Sequence, residues 1–531
     1  MKMTFIGACH EVTGSCTYIH AAGKHILVDF GMEQGRDMFE NVPLPVHGAQ
    51  IDYVFLTHAH VDHAGMLPFL YAKGFRGQVY ATAATYDLCQ ILLRDCAHIQ
   101  IQDTEWKNKK ERRLGGPADH APLFGIADAD GVMKCFVPCA YDEKITVAPG
   151  MDLRFTDIGH LLGSASIEVW LSEGGVTKKL VFSGDVGNLD QPLIRDPGLT
   201  DAADVVIIES TYGDRHHPKE RPDYIKELAA IIQQTFDAGG NLVIPSFAVG
   251  RSQEILYFLR KIKAAGLVRG HDGFPVYLDS PMAVAATGIF HKNNYICYDE
   301  EALALVKAGI NPLSFPGLNL TITSEESKQI NFEHEPKVII SASGMCEAGR
   351  IRHHLKHNLW RPECTILFVG YQAGGTLGRA LYDGISEVKL FGESIKVNAR
   401  VTPLPGLSGH ADKAGLIAWL AGFKQKPERV FVVHGDEMVS ESFTRCLADE
   451  HDHTAYAPYS GTRYCLLTDS FDYQAEARPA RSKAKPGPDF FGRLMVAGQR
   501  LLALIKKSEG RPNKDLKRLT DRVNKLCDEF E

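Results

Sequence analysis

A chain of 531 residues exceeds what one hydrophobic core usually supports, so two domains with a smaller appendage are expected. Its 44% hydrophobic and 23% charged residues exclude a disordered or fibrous protein, and a net charge of −7 argues against broad nonspecific binding of nucleic acid. No apolar run approaches the roughly 18 residues of a membrane span, and the opening MKMTFIGACHEV turns polar too early for a signal peptide.

Up to residue 208, short β-branched runs recur as HILVDFG, YVFLTHAH, GQVYAT, KKLVFSGD and DVVIIEST. Each closes on Gly, Asp or His. Helical spacing from Thr85 to Ile99 falls between them, which predicts a layered α/β domain over 1–208 with polar residues at its strand ends. A second α/β pattern occupies 209–400: helices in RPDYIKELAAIIQQTFDAG and from Arg251 to Ala264, strands in NLVIPSF and PVYLDS, then two strand, glycine-loop, helix units in KVIISASG and TILFVGYQAGGTLGRALYDG. Over 401–475 the first style returns, because LPGLSGHAD and RVFVVHGDE again bring histidine to a strand end. The second block therefore reads as an insertion. Residues 476–531 begin in the linker ARPARSKAKPGPD and continue into two segments of helical spacing. From Arg478 onward there are 14 Lys plus Arg against 7 Asp plus Glu, so the acidic balance belongs to the rest of the chain. This tail is expected to be a solvated helical pair that packs on the body or a protein partner, or that contacts RNA. The twelve cysteines are dispersed, as in a reduced, cytoplasmic protein; Cys135 and Cys139 are the closest pair, without a second pair at zinc-ribbon spacing.

The stretch VFLTHAHVDHAG gathers His58, His60, Asp62 and His63 just after an apolar run. Buried together, these groups would be left short of partners unless they served a metal centre. His58 and His60 are two apart, so an extended backbone points both imidazoles the same way, whereas Asp62 and His63 follow a turn and can face a neighbouring ion. Imidazole with carboxylate suits Zn²⁺, with Mn²⁺ or Fe²⁺ next, over Mg²⁺ or Ca²⁺. Asp29, His160, Asp185 and His434 likewise end apolar runs beside glycine and can complete the site.

THAHVDHAG with the later His160, Asp185 and His434 resembles the metallo-β-lactamase superfamily, whose hallmark is His-x-His-x-Asp-His at a strand end. The inserted block narrows the resemblance to the β-CASP branch of nucleic-acid nucleases, and within it to RNA-processing members such as the nuclease subunit of the pre-mRNA cleavage factor and bacterial ribonuclease J. EVTGS, GHLLGSAS, SGDVGN, IIESTYGDR, PSFAVGRSQEIL, YLDSPMA, SGHAD and VVHGD match family segments in order, up to about residue 470. A histidine at position 434 favours RNA over DNA substrates.

The resemblance implies an αββα sandwich with an inserted β-CASP α/β domain and two zinc ions per chain. His58, His60, His160 and Asp185 would hold one, and Asp62, His63, Asp185 and His434 the other, with Asp185 bridging and Asp29 orienting ligands. It implies attack on a phosphodiester by a hydroxide that the zinc pair activates, with His410 protonating the leaving oxygen and Glu209 orienting His410. Glu209 could instead merely cap a strand end. A homodimer is a further implication. The glycine loops around Ser343, Gly344, Gly375 and Arg379 offer amides or side chains to phosphate, or are simply tight packing. HHLKH at His353–His357 reads as a helix surface or structural contact rather than a third metal site. The expected function is a zinc-dependent ribonuclease acting on single-stranded RNA, within the chain or from an end. A small-molecule metallohydrolase of thioesterase or lactonase type is the alternative, because fold does not fix substrate.

Overall fold

The computed structural model describes the chain except for residues 36–37, 115–117, 219–221, 405, 481–489 and 531, so the expected linker lies largely outside the described residues. Two compact units result, one of Met1–Cys96 with Ile126–Ala480 and one of Ala97–Gly125 with Arg481–Glu531. The second unit holds the tail helices Phe490–Lys507 and Asn513–Asp528, the latter without a buried residue. Among the described residues no helix is long and apolar enough to cross a membrane.

The first unit is built on two large sheets and a third, smaller one. The eight-stranded sheet runs Ser470–Tyr473, Arg463–Cys465, Lys2–Gly7, Cys16–Ala21, Lys24–Val28, Tyr53–Phe55, Gln78–Thr82 and Phe136–Cys139. The seven-stranded sheet runs Ala455–Tyr456, Arg429–Val433, Val205–Glu209, Val176–Phe182, Ala165–Glu173, Met151–Asp157 and Ile145–Ala148. Their inner faces meet in one core, where Phe5, Ile19, Ile26 and Phe55 pack with Phe155, Val169, Leu180, Ile207 and Phe431.

Strand periodicity explains why the sequence runs are apolar throughout. In the seven-stranded sheet Leu180, Phe182, Val205, Ile207 and Phe431 face this inner core. Their neighbours Val181, Val206, Ile208, Val430 and Val432 face outward onto Leu416, Trp419 and Leu420 of the helix Lys413–Ala421 and onto Phe443 and Leu447 of Glu437–Asp449. Period-two alternation therefore buries both sides of each strand. Leu27, Val54 and Val79 alternate with inward residues of the other sheet and are also fully buried, so its outer face is covered too. This is the expected helix, sheet, sheet, helix sandwich.

The third sheet is wholly parallel and takes its six strands, Leu318–Leu320, Val276–Leu278, Val338–Ser341, Leu242–Pro245, Thr365–Phe368 and Arg400–Pro403, from the chain between the sandwich strands Val205–Glu209 and Arg429–Val433. It has its own core, in which Val243, Ile339, Ile366 and Phe368 pack against Ile351 and Leu355. The His354 ring of HHLKH is buried there, 2.6 Å from Asp279 and 3.0 Å from Asn331 Oδ1, which makes it a structural contact.

Phe431, fully buried between Phe5 and Tyr464, ties the two large sheets together. Phe431→Ala is expected to destabilise the sandwich by about 3–5 kcal/mol, measured as an earlier urea-unfolding midpoint, with Phe431→Leu recovering most of the loss.

Candidate metal centre

The sandwich strands deliver the site through their C-terminal ends. Lys24–Val28 and Tyr53–Phe55 are parallel neighbours, and Asp29 and the His58 loop follow them. Val176–Phe182, Val205–Glu209 and Arg429–Val433 are also mutually parallel and lead into Asp185, Glu209 and His434. His160 follows Met151–Asp157. Asp29, His160 and His434 adopt left-handed φ of 58°, 60° and 55°, a conformation side chains avoid unless the surroundings impose it. Two glycines permit the close approach of these loops. A Cβ on Gly31 would lie 1.6 Å from the Asp62 carbonyl oxygen, and one on Gly187 would lie 2.3 Å from the His160 amide nitrogen.

Two donor sets share Asp185. In the first, His60 Nδ1 lies 3.0 Å from His58 Nε2 and 3.1 Å from His160 Nε2, while Asp185 Oδ2 lies 3.4 and 3.3 Å from those two Nε2 atoms. In the second, His63 Nε2 lies 3.0 Å from His434 Nε2, and Asp185 Oδ1 lies 3.2 Å from the former and 3.6 Å from the latter; Asp62 Oδ2 adds a fourth donor 3.7 Å from His434 Nε2. Donors tetrahedrally disposed around zinc at its usual bond lengths are separated by about 3.3–3.6 Å, so both sets fit such an ion. Asp185 Oδ1 is buried without a hydrogen bond, as suits a ligand atom.

Four rings are turned toward the centre by what their other nitrogen donates to. His63 Nδ1 donates to Asp29 Oδ2 at 2.7 Å, and His58 Nδ1 to Thr57 Oγ1 at 3.1 Å, while the Thr57 hydroxyl itself donates to Asp29. His160 Nδ1 donates to the Gly409 carbonyl at 3.3 Å and His434 Nδ1 to Thr211 Oγ1 at 3.1 Å. Each arrangement leaves Nε2 with its lone pair facing inward, the tautomer a metal needs. Thr57, Thr211 and the Gly409 carbonyl went unnoticed in the sequence. Their only signal there is adjacency to motif residues, since their roles depend on contacts between distant segments.

Burial pushes the imidazolium forms of His58 and His160 down, and burial with His58 alongside takes His60 to about 3. At His63 and His434 burial acts the same way, but Asp185 together with Asp29 at His63 and Asp62 at His434 outweighs it and holds both above the ordinary range. Burial opposes the Asp185 anion, yet His434 and His63 hold its pKa well below the usual value.

His410 stands beside this centre. Its Nδ1 is 3.2 Å from both Glu209 oxygens and 4.0 Å from Asp185 Oδ2. Burial disfavours the charged ring, but the Glu209 carboxylate prevails and raises its pKa to about 9. Glu209 is buried and also accepts from the amides of Val186 and Thr211, so it is committed to this place rather than free.

A cleft of about 350 Å³ opens between the sandwich and the inserted sheet; His410 and the donor sets are not among its lining residues, but His217 and Tyr212, which line it, touch His410. Its walls include Tyr212, Arg215, His217, Tyr371, Arg379 and Ser408. Arg379 thus lines the cleft, its guanidinium paired with Asp383. Ser343, Gly344 and Gly375 are not among its lining residues. The second glycine loop does not leave its amides free: those of Leu377, Gly378 and Arg379 bond to Glu347, the Met345 carbonyl and Thr376. Gly344 is buried, its carbonyl accepting from Gln372.

Residues 11–84 match the model of the metallo-beta-lactamase superfamily, 252–381 that of the Beta-Casp domain, and 394–458 that of the Zn-dependent metallo-hydrolase RNA specificity domain. Ribonuclease TTHA0252 of Thermus thermophilus is 38% identical over 440 residues, covering 82% of this chain and 94% of that protein. The chain belongs to the β-CASP branch of the metallo-β-lactamase superfamily. Proteins named transcription termination factor FttA from Methanosarcina mazei and Methanocaldococcus jannaschii are 33% and 30% identical, over 82% and 86% of this chain and 67% and 70% of their own lengths. This β-CASP protein is of a metal-dependent hydrolase family, and the donor sets above are the groups that could hold its metal.

Asp29 touches no ligand position itself but fixes His63 and Thr57. Asp29→Asn is expected to weaken metal binding about 10- to 100-fold, measured by competition with a chromophoric chelator.

Proposed function

We propose that the chain is a zinc-dependent ribonuclease that hydrolyses phosphodiester bonds of single-stranded RNA and holds two Zn²⁺, with His58, His60, His160 and Asp185 around one and Asp62, His63, His434 and Asp185 around the other. The observation that carries this reading is the pair of donor sets joined through Asp185 beside the His410–Glu209 ion pair. When bound, paired zinc ions supply Lewis acidity, offset charge on the phosphate and make a shared water acidic enough to attack near neutral pH.

The protein groups supply the rest. Asp29, Thr57, Thr211 and the Gly409 carbonyl hold the imidazole tautomers. His410 gives a proton to the departing 3′ oxygen, and Glu209 on Nδ1 keeps the ring charged and aims it. Arg215 and Arg379 line the cleft together with the rings of Tyr212 and Tyr371, a combination suited to a phosphate backbone with unstacked bases. Relatives named for ribonuclease activity and termination, and the match to an RNA specificity domain, support RNA over a small metabolite. All twelve cysteines are free thiols, in keeping with a cytoplasmic setting.

Purified protein is expected to contain about two zinc ions per chain by elemental analysis and to cut a labelled single-stranded RNA; intact RNA at full zinc occupancy would overturn the assignment. His410→Ala is expected to slow cleavage about 10²- to 10⁴-fold with zinc content unchanged. Because Glu209 raises the His410 pKa, and the acid works only while protonated, activity falls as pH rises through that pKa. Glu209→Gln should therefore move the alkaline limb of the pH–rate profile to lower pH.

A further inference from the structure

The loop that carries His410 is held by its carbonyl oxygens, one after another, from different parts of the chain. Leu407 O accepts from Arg251 Nη2 at 2.9 Å, and Ser408 O from Gln191 Nε2 at 3.0 Å. Gly409 O accepts from the Asn188 amide at 3.1 Å and from His160 Nδ1 at 3.3 Å, and His410 O from His217 Nε2 at 3.0 Å. Gln191, Asn188 and His160 come from the sandwich, and His217 from the segment just after its strand Val205–Glu209. Arg251 comes from the packed body of the inserted domain, at the first residue of the helix Arg251–Ala264, which follows the strand Leu242–Pro245.

We propose that Arg251 is a positioning residue through which the inserted domain sets the aim of His410. The inference rests on the reading of His410 as the acid that protonates the leaving oxygen. Arg251 is built as a strut rather than a surface charge. Its Nη1 pairs with Glu254 one helical turn on, and both side chains are nearly buried. The charge is thereby balanced locally, leaving Nη2 free to act as a fixed donor on the loop. The preceding Gly250 approaches the residue after His160, with room for a Cβ only 3.2 Å from Leu161 Cδ1. The same helix start thus abuts both loops that meet at the His160 and His410 rings, whose centroids are 4.5 Å apart. Proton transfer to a leaving oxygen depends on heavy-atom separations held within a fraction of an ångström, so a loop that slackens at Leu407 weakens the acid while the metal donors stay in place.

The test compares two substrates on the zinc-loaded full chain. Single-stranded RNA has a sugar alkoxide leaving group that needs a proton, whereas bis(p-nitrophenyl) phosphate releases a phenolate that does not. Arg251→Lys keeps the charge opposite Glu254 but replaces the planar fork that places Nη1 on Glu254 and Nη2 on the Leu407 carbonyl by a single nitrogen on a flexible stem. The double variant Arg251→Met/Glu254→Gln removes the buried pair together and guards against a misfolded single variant. Both are expected to lower kcat on RNA about ten- to hundredfold with KM, zinc content and aryl-ester turnover nearly unchanged. In a His410→Ala background the Arg251 change should cost little more, because the two act on one step.

Parallel loss on both substrates, no loss on RNA, or full additivity with His410→Ala would overturn the role of Arg251. Should His410→Ala alone spare RNA cleavage, or reduce aryl-ester turnover equally, the acid assignment itself fails, and the role of Arg251 falls with it.

Discussion

Asp185 is a carboxylate with almost no exposure, set among the inward nitrogens of His58, His63, His160 and His434, and the rest of the site answers to its charge. An ion in that position is costly unless it is matched. Protons on His63 and His434 can match it, but only by turning ligand nitrogens into donors that oppose each other at 3.0 Å. Two divalent cations, as proposed, would match it better. They would use the inward lone pairs, including the otherwise unbonded Asp185 Oδ1, and would allow the neutral rings that burial favours at His58, His60 and His160. Asp29 and Thr57 then act as the outer support of this charge balance, since they decide which nitrogen of His63 and His58 faces inward.

Holding such a centre rigid requires a scaffold that does not yield, and the sandwich supplies it through strands buried on both faces. Ile207 and Ile208 lie next to each other yet belong to different cores, so the strand Val205–Glu209 cannot rotate without opening one of them. Glu209 is its last residue, and His434 follows the neighbouring parallel strand in register, Glu209 beside Val433. The left-handed turns at Asp29, His160 and His434 are maintained because packing on both sides of each strand fixes where the chain emerges.

Features written locally were legible in the sequence. The apolar runs became strands, Arg251–Ala264 became a helix with those bounds, and the THAHVDHAG cluster faces one centre. The tail segments of helical spacing are helices. Less visible was anything set by approach between distant segments. The partner of His160 Nδ1 lies 249 residues away and that of His434 Nδ1 lies 223 residues away, and neither the glycine nor the threonine involved stands out by composition. The glycine loop before Arg379 shows the converse. Its pattern suggested open amides, but Glu347 and the Met345 carbonyl take up those of Leu377 and Gly378, and the loop reaches the cleft wall through Gly370, Tyr371, Gln372 and Arg379. For His354 the sequence left a helix surface or a structural contact open, and Asp279 at 2.6 Å makes it the latter.

The inserted domain is best understood as both wall and strut. A sandwich with its donor sets alone offers an open rim, on which a small ester and a polymer would be equally at home. The inserted sheet changes this by adding Tyr371 and Arg379 to a cleft that Tyr212 and Arg215, from the segment after the sandwich strand Val205–Glu209, also line. Cationic and aromatic side chains together suit a strand of phosphates and unstacked bases. The wall also touches the loop of His410 through Arg251, so the cleft lining and the proposed acid are joined by a direct hydrogen bond.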